Sequence, residues 1–280
     1  MNTENLQGFV EMTNDEYHAG PGVSNSHLKE IARSPLHYWE KYINPEREAQ
    51  PQSSALIVGS GAHSAVLEPD LFPTEYCAAP KVDRRTKGGK AEYAAFEAEN
   101  LGKTILSADE YDLCLRLRDA VHGDAAASQL LSSGIAERSA FTTESQTGEL
   151  IKCRSDFLCH GHPLIVDLKT ADDASPQGFA RAAVNYGYYR QAPWYADILQ
   201  DITGEPHHFA FVVVEKARPH AVAVYFVEPE DMDIGRRENR RLLYLIAACR
   251  AENRWPGYAT EPMPLELPHW FRRQAEEAAA

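Results

Sequence analysis

KCRSDFLCHGHPLIVDLKT, residues 152–170, sets two aspartates and a lysine into what otherwise reads as a β-hairpin. The turn falls at 160–163, His-Gly-His-Pro, between two strand-like runs. Strict alternation over 151–159 puts Ile151, Cys153, Ser155, Phe157 and Cys159 on one face, with Lys152, Arg154, Asp156 and Leu158 on the other. Over 164–170, Leu164, Val166 and Leu168 share one face and Asp167 and Lys169 the opposite one. The turn then sets Asp156 directly across from Asp167, with Cβ atoms about 4.5–5.5 Å apart. Facing carboxylates repel, and a fold tolerates them if a cation sits between. Hard oxygen ligands favour Mg²⁺ or Mn²⁺ over Zn²⁺. Lys169 points into the same cleft, where an ammonium can hold or polarise water and offset developing negative charge. The plainer reading is a surface strand with scattered charges, because short D…DxK matches arise by chance.

The rest of the composition narrows the class. The chain has 280 residues, of which 44% are hydrophobic and 25% charged, ordinary for a soluble globular protein. It reads as one domain over 1–280, with a helical part at about 20–132 and a sheet core at about 136–253. No apolar run reaches the roughly 18 residues of a membrane helix. The start, MNTENLQGFVEMTNDEYHAG, has neither a basic nor an apolar leader region, so no secretory signal and no membrane association are expected. Five cysteines without a CxxC pair suit a reducing, cytoplasmic setting. A net charge of −13 excludes a protein that coats nucleic acid through bulk charge. Two readings stay open: no polyanion partner, or an acidic shell around a locally basic groove.

Along the chain, 22–43 predicts a helix capped by Ser24 and broken at Ser34-Pro35, and 53–70 a second helix with Gly59 and His63 on one face. Residues 79–93 read as a mobile basic loop carrying Arg84, Arg85 and Lys87. A Ser107–Glu110 capping box opens a helix over 107–124. Strands follow at 137–144, 150–159 and 163–170. A helix at 175–204 is split or kinked at Gly187 and Pro193. A hairpin at 207–216 and 220–229 and a last helix at 230–253 complete an α/β sheet flanked by helices.

With these residues in place, the D-x10-D-x-K hairpin resembles the core of the PDDEXK nucleases. GSGAH (59–63) looks like the GxxxH element of their RecB/lambda-exonuclease branch, KCRSDFL like its GxxD strand, and DLKT like its (D/E)xK strand. QAPWY (191–195) resembles the QxxxY motif, and SNSHLKEIARSPLHYW the SxSxL…SP element. The set is most similar to the RecE (exonuclease VIII) nucleases and runs from about 20 to 270. Two departures stand out. Arg154 occupies the motif glycine, and Pro193 lies inside QxxxY, which requires the helix to start near 190.

The resemblance implies a restriction-endonuclease-like mixed sheet and a set of roles. Asp156 and Asp167 would bind Mg²⁺, or Mn²⁺ in its place, with the Leu168 carbonyl as a further ligand. His63 would hold a second of two ions, and Glu137, opening the strand before the hairpin, would be metal-linked. Lys169 would position water, and Gln191 and Tyr195 would support it or touch phosphate. Ser24 and Ser26 would meet a terminal phosphate, and Arg84, Arg85 and Lys87 the DNA backbone. The implied activity is processive 5′→3′ degradation of double-stranded DNA ends. It would release 5′-mononucleotides and leave a 3′ strand for a single-strand annealing protein, as in phage DNA recombination. A toroidal homo-oligomer, a trimer rather than a tetramer, would keep an acidic protein on DNA topologically. The rivals are an endonuclease on the same core and a catalytically inactive DNA-binding or assembly module.

Overall fold

A computed structural model describes residues 6–48, 53–259 and 261–279. The chain opens with β1 (Gly8–Val10), α1 (Asn14–Ala19), α2 (Asn25–Arg33) and α3 (Pro35–Tyr42). It continues with α4 (Ser54–Leu67), α5 (Phe72–Glu75), β2 (Tyr76–Ala78), α6 (Lys87–Glu99), β3 (Thr104–Leu106), α7 (Ala108–Gly123) and α8 (Ala125–Leu130). The sheet strands β4 (Gly134–Thr143), β5 (Leu150–Cys159) and β6 (Leu164–Ala171) come next. Then follow α9 (Pro176–Tyr186), α10 (Tyr188–Thr203), β7 (His208–Glu215), β8 (Val222–Phe226), α11 (Pro229–Glu252) and α12 (His269–Ala279).

Six strands form one sheet in the order β1-β4-β5-β6-β7-β8, parallel only between β6 and β7 and antiparallel elsewhere. This is the mixed sheet with flanking helices that the sequence predicts. β7 shows why it is central. Its run FAFVVV sends Phe209, Phe211 and Val213 into a core with α2, α10 and α11, and Val212 and Val214 into a second core with α4 and α7. A strand buried on both faces reads as continuously apolar. Among the described residues no helix is long and apolar enough to cross a membrane.

Ser24 caps α2, and at the expected break Ser34 caps α3, so 22–43 is two helices meeting at Ser34. Other local expectations change. The basic stretch is not a loop throughout. Thr86 caps α6 through the Gly89 N–H, and Lys87 and Lys90 stand in its first turn. Local side-chain capping outweighs the helix-breaking cost of two adjacent glycines there. Glu137 does not open a strand, because β4 already runs from Gly134. Simple alternation in β5 also fails: Cys153 packs in the α10 core, whereas Phe157, of the same parity, packs in the α4–α7 core.

α10 starts after Gly187, whose φ of 79° is left-handed, and runs through Pro193. Proline at 193 cannot bond to the Tyr189 carbonyl four residues back. Gly235 of α11 sits against that carbonyl, so closely that a Cβ there would lie 2.1 Å from it and 2.6 Å from the proline ring. The motif helix therefore tolerates its proline by taking a neighbouring helix backbone at the break.

Candidate active site

Three carboxylates line up across three strands. The β4–β5 register pairs Ala136 with Phe157 and Arg138 with Ser155, which sets Glu137 opposite Asp156. The β5–β6 register pairs Phe157 with Val166 and Leu158 with Ile165, and its continuation sets Asp156 opposite Asp167. The ladder stops at that point and the two strands fork. The freed Leu168 N–H donates instead to Asp156 Oδ2 at 2.8 Å. Glu137 holds a φ of 52°, a conformation that costs a non-glycine residue about 1–3 kcal/mol. The strain coincides with the break in the ladder and turns the Glu137 carboxylate toward the fork.

His63, on α4, closes the cluster. Its Nδ1 lies 3.4 Å from Asp156 Oδ2, and ligand atoms of His63, Glu137 and Asp156 all fall within 4.8 Å of one another. A Cβ at Gly59 would meet nothing within 4 Å, so protein packing does not require that glycine; it leaves the surface one turn before His63 open. The glycine that packing presses on is Gly61, where an added Cβ would lie 3.1 Å from Cys114 Sγ. Arg154 stands where the motif has glycine, and it donates to Glu137 Oε2 at 2.7 Å, to Ser139 Oγ at 2.6 Å and to the Met12 carbonyl at 3.1 Å.

Beside this cluster, Lys169 forms an ion pair with Asp167 Oδ1, and Gln191 Nε2 donates to Asp167 Oδ2 at 2.5 Å. Asp167 is fully buried. The Lys169 ammonium sits 4.8 Å from the Tyr188 ring centroid and 6.0 Å from that of Phe211. Asp167 is thus held by Lys169 and Gln191, and the groups whose ligand atoms converge closely enough to hold an ion are His63, Glu137 and Asp156. Gln191 touches the carboxylate and reaches the lysine only through it. Tyr195, one turn on, packs edge-on against Phe209 at 6.1 Å, with no hydrogen bond from its hydroxyl among the described residues.

The remaining candidates lie apart. Ser24 is buried and its hydroxyl is 2.8 Å from His27 Nδ1, which makes it a helix cap rather than a free phosphate donor. Ser26 is exposed on α2. Arg84, Arg85 and Lys87 are exposed, Arg84 stacking 3.9 Å over the Tyr93 ring. Sequence reasoning missed three participants: Arg154 as the Glu137 counter-ion, Tyr188 as the wall over Lys169, and Glu68. Only Arg154 had a legible signal, its shared parity with Asp156.

Electrostatics fit a divalent cation. Burial raises the pKa of Glu137, Asp156 and Asp167, and Asp156 adds to the effect at Glu137 and Asp167. Asp167 is pushed up to about 6. Burial and then Glu137 raise Glu68 as well. Negative charge is therefore under-compensated at the fork. Burial, followed by Lys169, lowers the His63 pKa and keeps the imidazole neutral, the form that ligates metal. For Lys169 burial works downward, but Asp167 and Asp156 outweigh it and hold the ammonium charged. One neutral imidazole and two carboxylates, with a third carboxylate beside them, could hold a divalent cation.

The family described as "PDDEXK-like domain of unknown function (DUF3799)" matches residues 24–262. No curated protein matches the chain. A "putative exonuclease" from Eubacterium rectale shares the fold with a TM-score of 0.62 at 16% identity, over 95% of this chain and 98% of its own. A further solved structure, of SSO0001, aligns at 15% identity over 66% of this chain and 85% of its own. Its TM-score of 0.31 is too low to bear on the fold.

Proposed function

The chain belongs to the PDDEXK-like family of domains of unknown function (DUF3799), and from that premise we propose that it is a divalent-metal-dependent nuclease that degrades double-stranded DNA from its ends. The observation that carries this reading is the fork itself. His63, Glu137 and Asp156 converge where β5 leaves β6, with the Asp167–Lys169 pair beside them.

His63, Glu137 and Asp156 would hold the ion, which when bound supplies Lewis-acid stabilisation of charge on a phosphodiester. Asp156 is fixed for that task by the Leu168 N–H, and Glu137 by Arg154. Lys169 keeps its proton at neutral pH, so its part is to place water and to offset negative charge as the phosphodiester reacts, not to take a proton. Gln191 holds Asp167 and so sets the lysine's position.

The choice of an exonuclease over an endonuclease rests on the ordered motif set, and the fold shared with the Eubacterium rectale protein described as an exonuclease agrees with it. On the same ground we assign 5′→3′ polarity, mononucleotide products, and a 3′ strand passed to an annealing protein in the cytoplasm. A chain with net charge −13 grips DNA weakly through bulk charge in physiological salt, and a closed trimeric ring would retain the duplex without that grip.

The test is digestion of linear duplex labelled at one end, beside covalently closed circular duplex, with Mg²⁺, Mn²⁺ or EDTA. Loss of the 5′ label first, with circles untouched and EDTA abolishing the reaction, is the expected result. Cut circles would assign the endonuclease reading, and prior loss of the 3′ label would reverse the polarity.

A further inference from the structure

The sequence NYGYY, 185–189, joins α9 to α10 and carries three tyrosines, two of which, Tyr186 and Tyr188, flank its glycine. Gly187 is left-handed, and a Cβ there would lie 2.6 Å from the Arg190 guanidinium, so the turn admits little else. It presents Tyr186 and Tyr188 side by side, with ring centroids 5.7 Å apart and planes 32° from parallel. Tyr188 is the inner ring, lying over the Lys169 ammonium. Tyr186 is the outer ring and 54% exposed.

The two rings wall a cleft of about 290 Å³ that begins at Lys169 and runs along α9 to Arg181 and Lys216. Its charge is mixed. Lys216 is paired with Asp172 at 2.7 Å, and Asp173 also lines the cleft, near enough to Arg181 to feel its charge. Lys29 of α2 reaches over Tyr186, 5.7 Å from the ring centroid. A single exposed tyrosine is ordinary on a surface. A tyrosine in a nucleoside-sized cleft that opens on the reactive lysine, with cations at its edges, has the make-up of a single-strand stacking platform.

We propose that this cleft is a nucleoside subsite, in which the base next to the scissile phosphate stacks on Tyr186 and the adjoining phosphate meets Arg181 and Lys29. The inference rests on the nuclease reading and deepens it. It says that the enzyme holds its strand at the reacting end through an unpaired, stacked base, not through the charge of the duplex. Stacking accepts every base, so the subsite selects single-stranded character and not sequence. The stacked base adds a contact that depends little on salt, beside a phosphate contact that does depend on it.

Two measurements separate this subsite from the nuclease reading. The first uses binding alone: titration of the full chain with dAMP and with 2-deoxyribose 5-phosphate, which lacks a base. The wild type should bind dAMP about tenfold more tightly than the sugar phosphate, Tyr186→Ala should lose that preference, and Tyr186→Phe should keep it. The second is cleavage of linear duplex, where Tyr186→Ala and Arg181→Ala should each lower kcat/KM about tenfold with unchanged far-ultraviolet circular dichroism. Equal affinities of wild type and Tyr186→Ala for dAMP, or no preference of the wild type for dAMP over the sugar phosphate, would overturn the subsite even if DNA is cut. A base-dependent affinity that Tyr186→Ala abolishes, in a protein that cuts no DNA, would leave the cleft standing and remove the nuclease reading.

Discussion

The main-chain N–H of Leu168 donates to Asp156 Oδ2 at 2.8 Å, a side chain taking the place of the backbone partner that the β5–β6 ladder no longer provides. One bond thus ties the fork together and aims a carboxylate. Asp156→Asn retains an acceptor and should fold with little change. Its cleavage should fall more than 100-fold, and Mg²⁺ or Mn²⁺ should no longer raise its Tm. Asp156→Ala leaves the Leu168 N–H without its partner and should lose about a further 1–3 kcal/mol. Thermal unfolding with EDTA and with Mn²⁺ reads both effects.

For the wild type, a saturating divalent ion at 100 times its Kd should stabilise by about 2.7 kcal/mol. Glu137→Gln and His63→Ala should each shift the metal concentration needed for half-maximal activity upward by tenfold or more. An unchanged metal requirement in both variants would remove them from the ligand set.

Lys169→Ala should lower cleavage by about 10²–10³-fold, the scale of losing one charge-stabilising group. Duplex binding in Ca²⁺ should remain. Activity within tenfold of wild type would refute the role given to the ammonium.

Asp167 titrates near 6 in the folded chain against an ordinary value of 3.8. A carboxyl with a raised folded pKa favours the folded state most when protonated, so that stability is present in acid and lost as pH rises through 6. Asp167 by itself should therefore withdraw on the order of 2–3 kcal/mol of stability from the metal-free protein between pH 4 and 7. Asp167→Asn should remove that contribution, while removing activity. Chemical denaturation of both proteins at several pH values with EDTA measures the difference, and parallel wild-type and Asp167→Asn curves would contradict the burial argument.

Lys152 carries a structural prediction. It is buried, and its Nζ donates to the carbonyls of Tyr17 at 2.6 Å and Gly20 at 2.7 Å, holding the end of α1 on the sheet. Lys152→Met leaves both carbonyls unpaired and should cost about 2–4 kcal/mol without touching the fork. Gly235→Ala should also destabilise, since its Cβ would enter the Tyr189 carbonyl. It should lower kcat as well, because α10 carries Gln191.

Much of this protein could be read along the chain because the signals are local. The 160–163 turn fixes the register that faces Asp156 with Asp167, the capping serines mark helix starts at Asn25 and Ala108, and the apolar run at 209–214 announces a strand buried on both faces. The kind of chemistry was legible for the same reason, since two acids and a lysine on one face of a hairpin are out of place in a core.

Tertiary structure decided which groups meet. His63 and Asp156 are 93 positions apart, and only packing of α4 against the sheet brings their atoms to 3.4 Å. The forked ladder, the left-handed Glu137 and the ion pairs of Arg154 and Lys169 decide that Asp167 is held by Lys169 while Glu137 comes within reach of His63 and Asp156. Register and caps follow from the residues beside them. The partner that claims each charge depends on every element around the fork, which no spacing along the chain records.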